Sequence, residues 1–278
     1  MLAQRIVTAA VLLAILVPAI FLAAPWVWGV LSLAILAAAA LEWGRLFGTQ
    51  AAAIRLAALL AAAGAGYLLW RLALPEPAQP LPTPAALALA AVSLLFWLAG
   101  APAALARGRP IEPSWSVALL TLIACWVAVL ELRILGAAML VSCLVLVWVA
   151  DVGAYFAGRA FGRRKLAPRI SPGKSWEGVA GGLVAVLAVG LLAAAVAPQA
   201  NLWPARLAQH LPWPALALAL AILVALSVIG DLYESLLKRT AGVKDSGQLL
   251  PGHGGVLDRV DALVPTMPAC LLALLVLR

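Results

Sequence analysis

Long apolar stretches and short polar segments alternate along the entire chain. A helix needs about 20 apolar residues to cross the roughly 30 Å hydrocarbon core of a bilayer, and about nine stretches approach this length. They cover approximately residues 6–24, 26–42, 54–72, 85–100, 115–131, 134–152, 177–197, 214–237 and 260–277. The pattern predicts an all-α, polytopic integral membrane protein with about nine transmembrane helices. Only Glu131, Leu132 and Arg133 mark the boundary between the fifth and sixth spans.

The polar segments divide the chain into three parts. Residues 1–114 carry the first four spans, residues 115–152 carry spans five and six, and residues 153–278 carry the last three spans with two polar segments. The first part offers little chemistry, because its tryptophans cluster near predicted span ends and its alanine-rich runs favour close helix packing. We therefore expect the catalytic region in residues 153–278.

Composition and charge agree with a membrane protein and indicate its orientation. The chain is 65% hydrophobic and only 11% charged, and its mean hydropathy is +1.08, whereas a soluble domain is only about half apolar. A cytoplasmic N-terminus satisfies the positive-inside bias for all but four of the 19 lysines and arginines,. The exceptions are Arg71, Arg133, Arg206 and Arg278. Because topology explains much of the net charge of +8, this charge does not indicate nucleic-acid binding.

Charged residues are concentrated in the last polar stretch, residues 235–261. The helix that leads into it is apolar until Gly230 and then becomes polar. Residues three and four apart share one face of a helix. The polar residues on this face are Ser227, Asp231, Glu234 or Ser235, and Lys238. An acid, a hydroxyl and a base therefore lie along one stripe.

Residues 251–255, Pro-Gly-His-Gly-Gly, are too rich in glycine for a helix, and such a loop lets backbone N–H groups approach a ligand,. Asp258 and Asp261 then open the next apolar run, where the positive end of the helix dipole favours carboxylates. Together with Asp231 they form a plausible set of oxygen ligands for a hard cation. Mg²⁺ typically binds one or two carboxylates, waters and substrate phosphates.

A second polar segment follows the sixth span. Asp151 lies at the end of an apolar run, where an ionisable residue usually has a function or a partner,. Two interpretations stay open for it: work in a ligand site, or pairing with Arg159 or another base.

Residues 171–175, Ser-Pro-Gly-Lys-Ser, lie just before the seventh span. We expect a tight turn at Pro172 and Gly173. Lys174, Ser175 and free N–H groups at a helix start could bind a phosphate, but Ser175 could equally be a plain helix cap. The segment is not a Walker A loop, because its required first glycine would fall at Pro168.

The C-terminal part resembles the phosphatidate cytidylyltransferases, also called CDP-diacylglycerol synthases. The positions that match the family signature in identity and spacing are Ser235, Lys238, Arg239, Lys244, Asp245, Pro251, His253, Gly254, Gly255, Asp258, Arg259 and Asp261. The resemblance is strong over residues 148–263, whereas the first 130 residues share only the hydrophobic pattern. The family also has a Ser-Pro-Gly-Lys element, usually followed by Thr where this chain has Ser175. Val152 replaces a frequent hydroxyl residue, which puts a polar contact there in doubt.

The resemblance implies a reaction in which the phosphate of phosphatidate attacks the α-phosphorus of CTP, giving CDP-diacylglycerol and pyrophosphate. The reaction requires Mg²⁺, and the site is expected to hold one or two cations. We expect Asp231, Asp258 and Asp261 to hold the metal. The residues expected to offset charge on the phosphates are Lys174, Lys238, Arg239, Lys244 and Arg259. His253 is expected to shape the nucleotide loop, and Asp245 to orient Lys244 or Arg259 or to join the metal ligands. The residues expected to contact substrate are Ser171, Ser175, Ser235, Gly252, Gly254 and Gly255. His253 could also serve only as a loop hydrogen-bonding group.

Three alternatives to this function stay open. The first is a related CTP-dependent enzyme acting on another lipid phosphate or a polyprenol. The second is an ion-coupled transporter, which the position of the charges at span ends disfavours, and the third is a catalytically silent scaffold. Because CTP is a cytoplasmic solute and phosphatidate a membrane lipid, we expect the site on the cytoplasmic side of a bacterial inner membrane. The resemblance also implies a homodimer.

Overall fold

The computed structural model describes residues 2–73, 83–112 and 114–277 and is built almost entirely of helices. In chain order its elements are α1 (Leu2–Phe21), α2 (Pro25–Phe47), α3 (Gln50–Ala73), α4 (Thr83–Leu95), a π-helical turn (Phe96–Gly100), α5 (Ala101–Arg107), α6 (Ser114–Leu135), α7 (Ala137–Phe161), β1 (Lys165–Ala167), β2 (Ser171–Ser175), α8 (Trp176–Val196), α9 (Trp203–Ala208), α10 (Trp213–Thr240), α11 (Leu257–Val260) and α12 (Leu263–Val276). The prediction of an all-α polytopic membrane protein is confirmed, with one small hairpin added.

Among the described residues, eight helical segments are long and apolar enough to cross a membrane. They are Pro25–Leu46, Gln50–Arg71, Leu87–Arg107, Ser114–Leu135, Ala137–Phe161, Trp176–Val196, Trp213–Thr240 and Leu257–Val276. These segments correspond to the second to ninth predicted spans. The first predicted span corresponds to the shorter apolar helix Ile6–Phe21, so a count of nine and a cytoplasmic N-terminus stay predictions.

Contacts between helix ends define two opposite ends of the bundle. At one end the indole of Trp43, near the end of α2, donates a hydrogen bond to the hydroxyl of Ser114 at the start of α6, over 3.2 Å. At the other end the guanidinium of Arg133, near the end of α6, donates to the carbonyl of Ala23, before α2, over 2.9 Å. The first end also holds the hairpin and the end of α10, and we refer to it as the site end; the second is the far end.

An aromatic cluster packs α2, the π-helical turn and α10 together near the site end. The ring centroid of Tyr233 lies 5.2 Å from that of Phe96, 5.7 Å from that of Trp97 and 6.2 Å from that of Trp43. Trp97 and Tyr233 are almost completely buried. Because aromatic rings in tilted and edge-to-face contact are rigid and bury large areas, this cluster fixes the position of α10 at its polar end.

Helices α7 and α8 pack closely through small residues. A Cβ atom built on Gly181 would lie 2.1 Å from the Cβ of Ala157, and one on Gly182 would lie 2.7 Å from the carbonyl oxygen of Ala150. Such contacts leave no room for a side chain, as is common where membrane helices approach each other closely. The two helices therefore hold the hairpin between them in a defined position.

The predicted boundary between the fifth and sixth spans is wrong. Helix α6 continues through Glu131 and Arg133 to Leu135, and the chain breaks at Gly136, whose φ of 142° is accessible mainly to glycine,. The charge in this region misled the hydropathy pattern, because the carboxylate of Glu131 forms an ion pair over 2.9 Å with Arg71 inside the bundle. A paired charge can remain within a membrane helix.

The sixth predicted span also ends too early, at residue 152. Helix α7 continues to Phe161, so Asp151 lies inside the helix instead of at its end, and residues 153–161 are helical instead of part of a polar loop. The close packing of Gly153 against α8, where a Cβ would lie 2.8 Å from the Cβ of Ala185, accounts for the extension. Hydropathy alone does not register such packing.

Candidate active site

The segment between α7 and α8 is an antiparallel hairpin of β1 and β2, with Lys165 paired opposite Ser175. The predicted tight turn at Pro172 and Gly173 is wrong, since both residues lie in β2. The turn falls at residues 168–170. Pairing with β1 keeps β2 extended and directs the chain into α8.

Two side chains at the start of α8 stabilise the hairpin. The hydroxyl of Ser175 accepts a hydrogen bond from the backbone N–H of Gly178 over 3.2 Å and so caps the helix,. The carboxylate of Glu177 accepts from the N–H groups of Arg163 and Arg164 over 3.1 and 3.2 Å. The cap proposed as the simple role of Ser175 is present, and a phosphate contact by the same hydroxyl stays a prediction.

The hairpin and three helices bring a group of aspartates together at the site end. The ammonium of Lys174 lies 2.6 Å from a carboxylate oxygen of Asp231, and the hydroxyl of Ser235 donates to the other oxygen over 3.4 Å. Asp151 and Asp261 are close enough to interact electrostatically with Asp231 and with each other. The predicted approach of Asp231 and Asp261 is therefore observed.

Asp151 joins this acid group and does not pair with Arg159. Its carboxylate accepts a hydrogen bond from the hydroxyl of Ser227 on α10 over 3.5 Å. The guanidinium of Arg159 instead donates to the hydroxyl of Tyr155, one turn earlier on α7, over 3.3 Å. Of the two interpretations left open for Asp151, the structure favours a place in the site.

A second charged group surrounds Lys238 on the last turn of α10. Its ammonium lies 2.6 Å from a carboxylate oxygen of Glu234 and 2.6 Å from one of Asp258. The other oxygen of Asp258 accepts from the backbone N–H groups of Ser246, over 3.1 Å, and Gly255, over 2.8 Å. Asp258 is thus held by one lysine and two backbone donors.

The two groups contain more acids than bases. The carboxyl groups belong to Asp151, Asp231, Glu234, Asp258 and Asp261, and the ammonium groups belong to Lys174 and Lys238. The side chains of Lys174 and Asp231 retain 25% and 36% of their accessible surface, so solvent reaches this pair. Partly open carboxylates without enough bases favour the binding of a cation.

Residues 241–256, which we call the signature loop, connect α10 to α11. Gly252 and Gly254 have φ angles of 76° and 84°, a region that only glycine adopts easily, so the prediction of a non-helical loop is confirmed. The guanidinium of Arg259 donates to the carbonyl of His253 over 2.8 and 3.1 Å. Arg259 therefore supports the loop, and the Nδ1 atom of His253 is buried without a hydrogen-bond partner among the described residues.

Three further predicted site residues lie on the surface of this region. The guanidinium of Arg239 donates to the carbonyls of Ile170, over 3.3 Å, and Val243, over 3.1 Å, and so connects the hairpin with the signature loop. Lys244 and Asp245 are exposed on the loop, and neither forms an ion pair within the described part of the chain. Their contacts with substrate stay predictions, as do those of Ser171 in β2.

The acids of the site offer ligands for a metal ion without forming a complete set. Within the described ranges, no three His, Cys, Asp or Glu side chains are already arranged as a set of metal ligands. The donors nevertheless fit a hard cation, because α7, α10 and the junction of α11 with α12 supply the carboxylates of Asp151, Asp231 and Asp261,. These three acids share one nearby ammonium, that of Lys174. Asp258 lies in the other group, paired with Lys238.

Sequence reasoning missed two buried acids that shape the site. The sequence pattern assigns Glu234, on α10, only to a helix face, whereas the structure buries it to 3% exposure beside Lys238. The pattern assigns no role to Glu42, on α2, which is 2% exposed and accepts hydrogen bonds from Ser246 and from the N–H of Leu257. An acid at the end of an apolar run was the available signal, but no local pattern shows its distant partners.

The helices and this site define an integral membrane protein with a polar, acid-rich centre at one end of its bundle. A sequence model described as the Cytidylyltransferase family matches residues 3–277. The chain belongs to the cytidylyltransferase family. The match extends the resemblance beyond residues 148–263 to nearly the whole chain.

Known relatives agree with this assignment. The chain is 40% identical to the phosphatidate cytidylyltransferase of Pseudomonas aeruginosa over 279 aligned residues, which cover 96% of this chain and 95% of the relative. It is 50% identical to the Haemophilus influenzae enzyme of the same name over 133 residues, 48% of this chain and 44% of the relative. The Bacillus subtilis enzyme of that name is 46% identical over 127 residues, 45% of this chain and 42% of the relative.

Proposed function

We propose that this protein is a membrane-bound phosphatidate cytidylyltransferase that converts CTP and phosphatidate to CDP-diacylglycerol and pyrophosphate. Membership in the cytidylyltransferase family and the likeness to the Pseudomonas aeruginosa enzyme over nearly the full length of both chains support this function. The single structural observation that carries it is the meeting of Lys174, Asp231 and Asp261 at the end of a bundle of apolar helices. A site there can receive a lipid phosphate and a water-soluble nucleotide together.

The proposed chemistry needs positioned charge more than proton transfer. An oxygen of the phosphatidate phosphate forms a bond to the α-phosphorus of CTP, and the bond from that phosphorus to pyrophosphate breaks. The attacking oxygen is already anionic, so no general base is required. Lys174 and Lys238 are the ammonium groups placed to offset charge on the reacting phosphates, which is where preorganised positive groups have their largest effect.

We propose that Asp231 and Asp261, with Asp151 beside them, hold Mg²⁺, with room for a second cation. A bound Mg²⁺ would neutralise charge on the triphosphate and its leaving group. For Asp258 to join these ligands, as the sequence predicts, its contact with Lys238 would have to open. In the observed arrangement Asp258 instead orients Lys238 and the N–H groups of the signature loop.

We also propose that the site faces the cytoplasm from a bacterial inner membrane, because CTP is made and used in the cytoplasm. The hairpin and the signature loop lie at the same end of the bundle, connected by Arg239, as a single cytoplasmic site requires. Thr8, close to the N-terminus, also donates a hydrogen bond to the carbonyl of Pro251 at this end over 2.9 Å. This contact supports a cytoplasmic N-terminus, and assembly as a homodimer stays an expectation from the family.

The purified protein in lipid nanodiscs, supplied with CTP labelled at the α-phosphorus, tests the function. We expect labelled CDP-diacylglycerol and an equal amount of pyrophosphate when phosphatidate is added. EDTA should stop the reaction and Mg²⁺ should restore it. Product formed only from a polyprenol or another lipid phosphate would assign the chain to a related enzyme. If CTP is not consumed with any of the lipid acceptors, the proposed function is wrong.

A further inference from the structure

A buried carboxylate on α2 holds the second part of the signature loop at two points, Ser246 and Leu257. Glu42 lies near the end of α2 and is 2% exposed. Its Oε2 atom accepts a hydrogen bond from the hydroxyl of Ser246 over 3.1 Å and from the backbone N–H of Leu257 over 2.8 Å. These partners are 204 and 215 residues away in sequence. One oxygen of α2 therefore fixes the region between Ser246 and Leu257 from both sides.

Two glycines of the loop leave the space that this carboxylate occupies. A Cβ atom on Gly247 would lie 2.3 Å from Oε1 of Glu42, and one on Gly255 would lie 2.5 Å from Oε2. Neither glycine has a positive φ angle, so backbone freedom does not explain them. They are required for space, whereas Gly252 and Gly254 are required for their backbone conformation.

The residues anchored by Glu42 are those that orient the charged group around Lys238. Ser246, whose hydroxyl binds Glu42, donates its backbone N–H to Asp258 over 3.1 Å. Gly255, which packs on Glu42, donates its N–H to the same oxygen of Asp258 over 2.8 Å. Asp258 in turn contacts the ammonium of Lys238 at 2.6 Å. A continuous set of contacts thus leads from α2 to a base of the site.

A general contribution to stability does not account for Glu42 well. No lysine or arginine of the described chain forms an ion pair with it, and its Oε1 atom is buried without a hydrogen-bond partner there. Burying a carboxylate without a counter-ion is unfavourable, and an apolar side chain of similar volume would usually be at least as stable. The geometry that the carboxylate imposes on the loop is a more specific reason for its presence.

We infer that Glu42 is a positioning residue for the cytidylyltransferase reaction, acting through Ser246 and Gly255 to hold Asp258 and Lys238 in place. This inference rests on the proposed function. It assigns a role in the site to the N-terminal half of the chain, which contributes none of the five acids and two lysines of the two charged groups.

The test compares four proteins with the wild type: Glu42→Ala, Ser246→Ala, the double variant, and Glu131→Gln. The last removes one charge from a buried carboxylate at the far end and serves as the matched control for lost stability. Three quantities are measured in nanodiscs: kcat/KM for CTP, the thermal unfolding midpoint, and hydrogen–deuterium exchange of residues 241–256. We expect Glu42→Ala to lower kcat/KM between about 10-fold and 100-fold, the scale of a small misplacement of reacting groups.

The pattern of effects separates positioning from stability. Glu42→Ala should speed exchange in residues 241–256, and Ser246→Ala should have a smaller effect of the same kind. The double variant should be no worse than Glu42→Ala, since both act through one hydrogen bond. Glu131→Gln should lower the unfolding midpoint while keeping kcat/KM and the exchange of the signature loop unchanged.

Several results would overturn the inference. A folded Glu42→Ala protein with wild-type activity and loop exchange would do so, as would an equal loss of activity in Glu131→Gln. If Glu42→Ala does not fold, Ser246→Ala decides the question, and wild-type activity and exchange in that variant would refute it. An inactive wild-type protein would refute the proposed function, and loop exchange would then still show whether Glu42 anchors the loop.

Discussion

The two ends of the bundle both bury charge, but they do so in different ways. At the far end Arg71 and Glu131 form two hydrogen bonds, of 2.9 and 3.2 Å, and the hydroxyl of Tyr67 donates to the same carboxylate. The side chains of Arg71 and Glu131 are 4% and 0% exposed. In the two charged groups of the site end, five carboxyl groups share two lysines, and Asp231 keeps 36% of its side-chain surface.

This difference shows which buried charges indicate a function in a membrane protein. An ionisable residue within a span usually has a task or a partner, and the far end illustrates the second case: one acid, one base and a phenol enclosed by helices. The two charged groups at the site end have more carboxyl groups than lysines, and solvent reaches the Lys174–Asp231 pair. The excess negative charge can be balanced by a bound cation, which can in turn bind a polyphosphate. A closed ion pair has no such excess.

The most severe expected change is Asp261→Asn at the site end. It removes one of the carboxylates proposed to hold Mg²⁺ while preserving the shape of the side chain. We expect turnover to fall between about 100-fold and 1,000-fold, the scale for loss of one charge-stabilising group. The measurement is formation of labelled CDP-diacylglycerol at saturating CTP, together with the Mg²⁺ concentration needed for half-maximal rate.

The control for Asp261→Asn is its thermal unfolding midpoint in detergent, which should stay close to that of the wild type. Asp258→Asn is the informative companion, because both residues were predicted as metal ligands. If Asp258 acts through Lys238, the companion variant should lose turnover without changing its Mg²⁺ requirement. Wild-type activity in both variants would refute the proposed roles of these acids.

A smaller change in function, with a large change in stability, is expected from Glu131→Gln at the far end. Loss of one partner from a buried ion pair costs about 3–5 kcal/mol, because the remaining charge stays buried. We therefore expect a clearly lower thermal unfolding midpoint and unchanged activity per folded molecule. A loss of turnover without a loss of stability would show that the far end is coupled to the site and that the contrast between the ends is mistaken.

Hydropathy predicted most of the fold because the bilayer fixes the length of each span. It failed where packing between distant residues decides the outcome. The ion pair of Arg71 with Glu131 keeps α6 helical through a charged stretch, and the contact of Gly153 with α8 extends α7 beyond Asp151. In both contacts the two residues are too far apart in sequence to fall within one hydropathy window of about 20 residues.

The candidate site was predictable to a similar extent and for related reasons. Fixed spacing on a helix placed Asp231 and Lys238 on one face of α10, about two turns apart,. The glycines at 252 and 254 indicated a loop. The division of the acids into two groups was not predictable, because Asp258 and Asp261 are three residues apart and yet interact with different lysines. The role of Glu42 was not predictable for the same reason, since its partners Ser246 and Leu257 are 204 and 215 residues away in sequence.

The smallest expected change comes from Ser175→Ala, which distinguishes a structural hydroxyl from a substrate contact within the site end. Loss of an N-cap hydroxyl costs about 1 kcal/mol, and the cap bond to Gly178 is the contact that this hydroxyl makes. We expect a slightly lower unfolding midpoint and a KM for CTP within about threefold of the wild type, because helix α8 should remain folded. Ser171→Ala removes a neighbouring hydroxyl that caps no helix and should leave the midpoint unchanged. An unchanged midpoint with a strongly raised KM in Ser175→Ala would instead show that this hydroxyl contacts the phosphates. The substrate site would then include the start of α8.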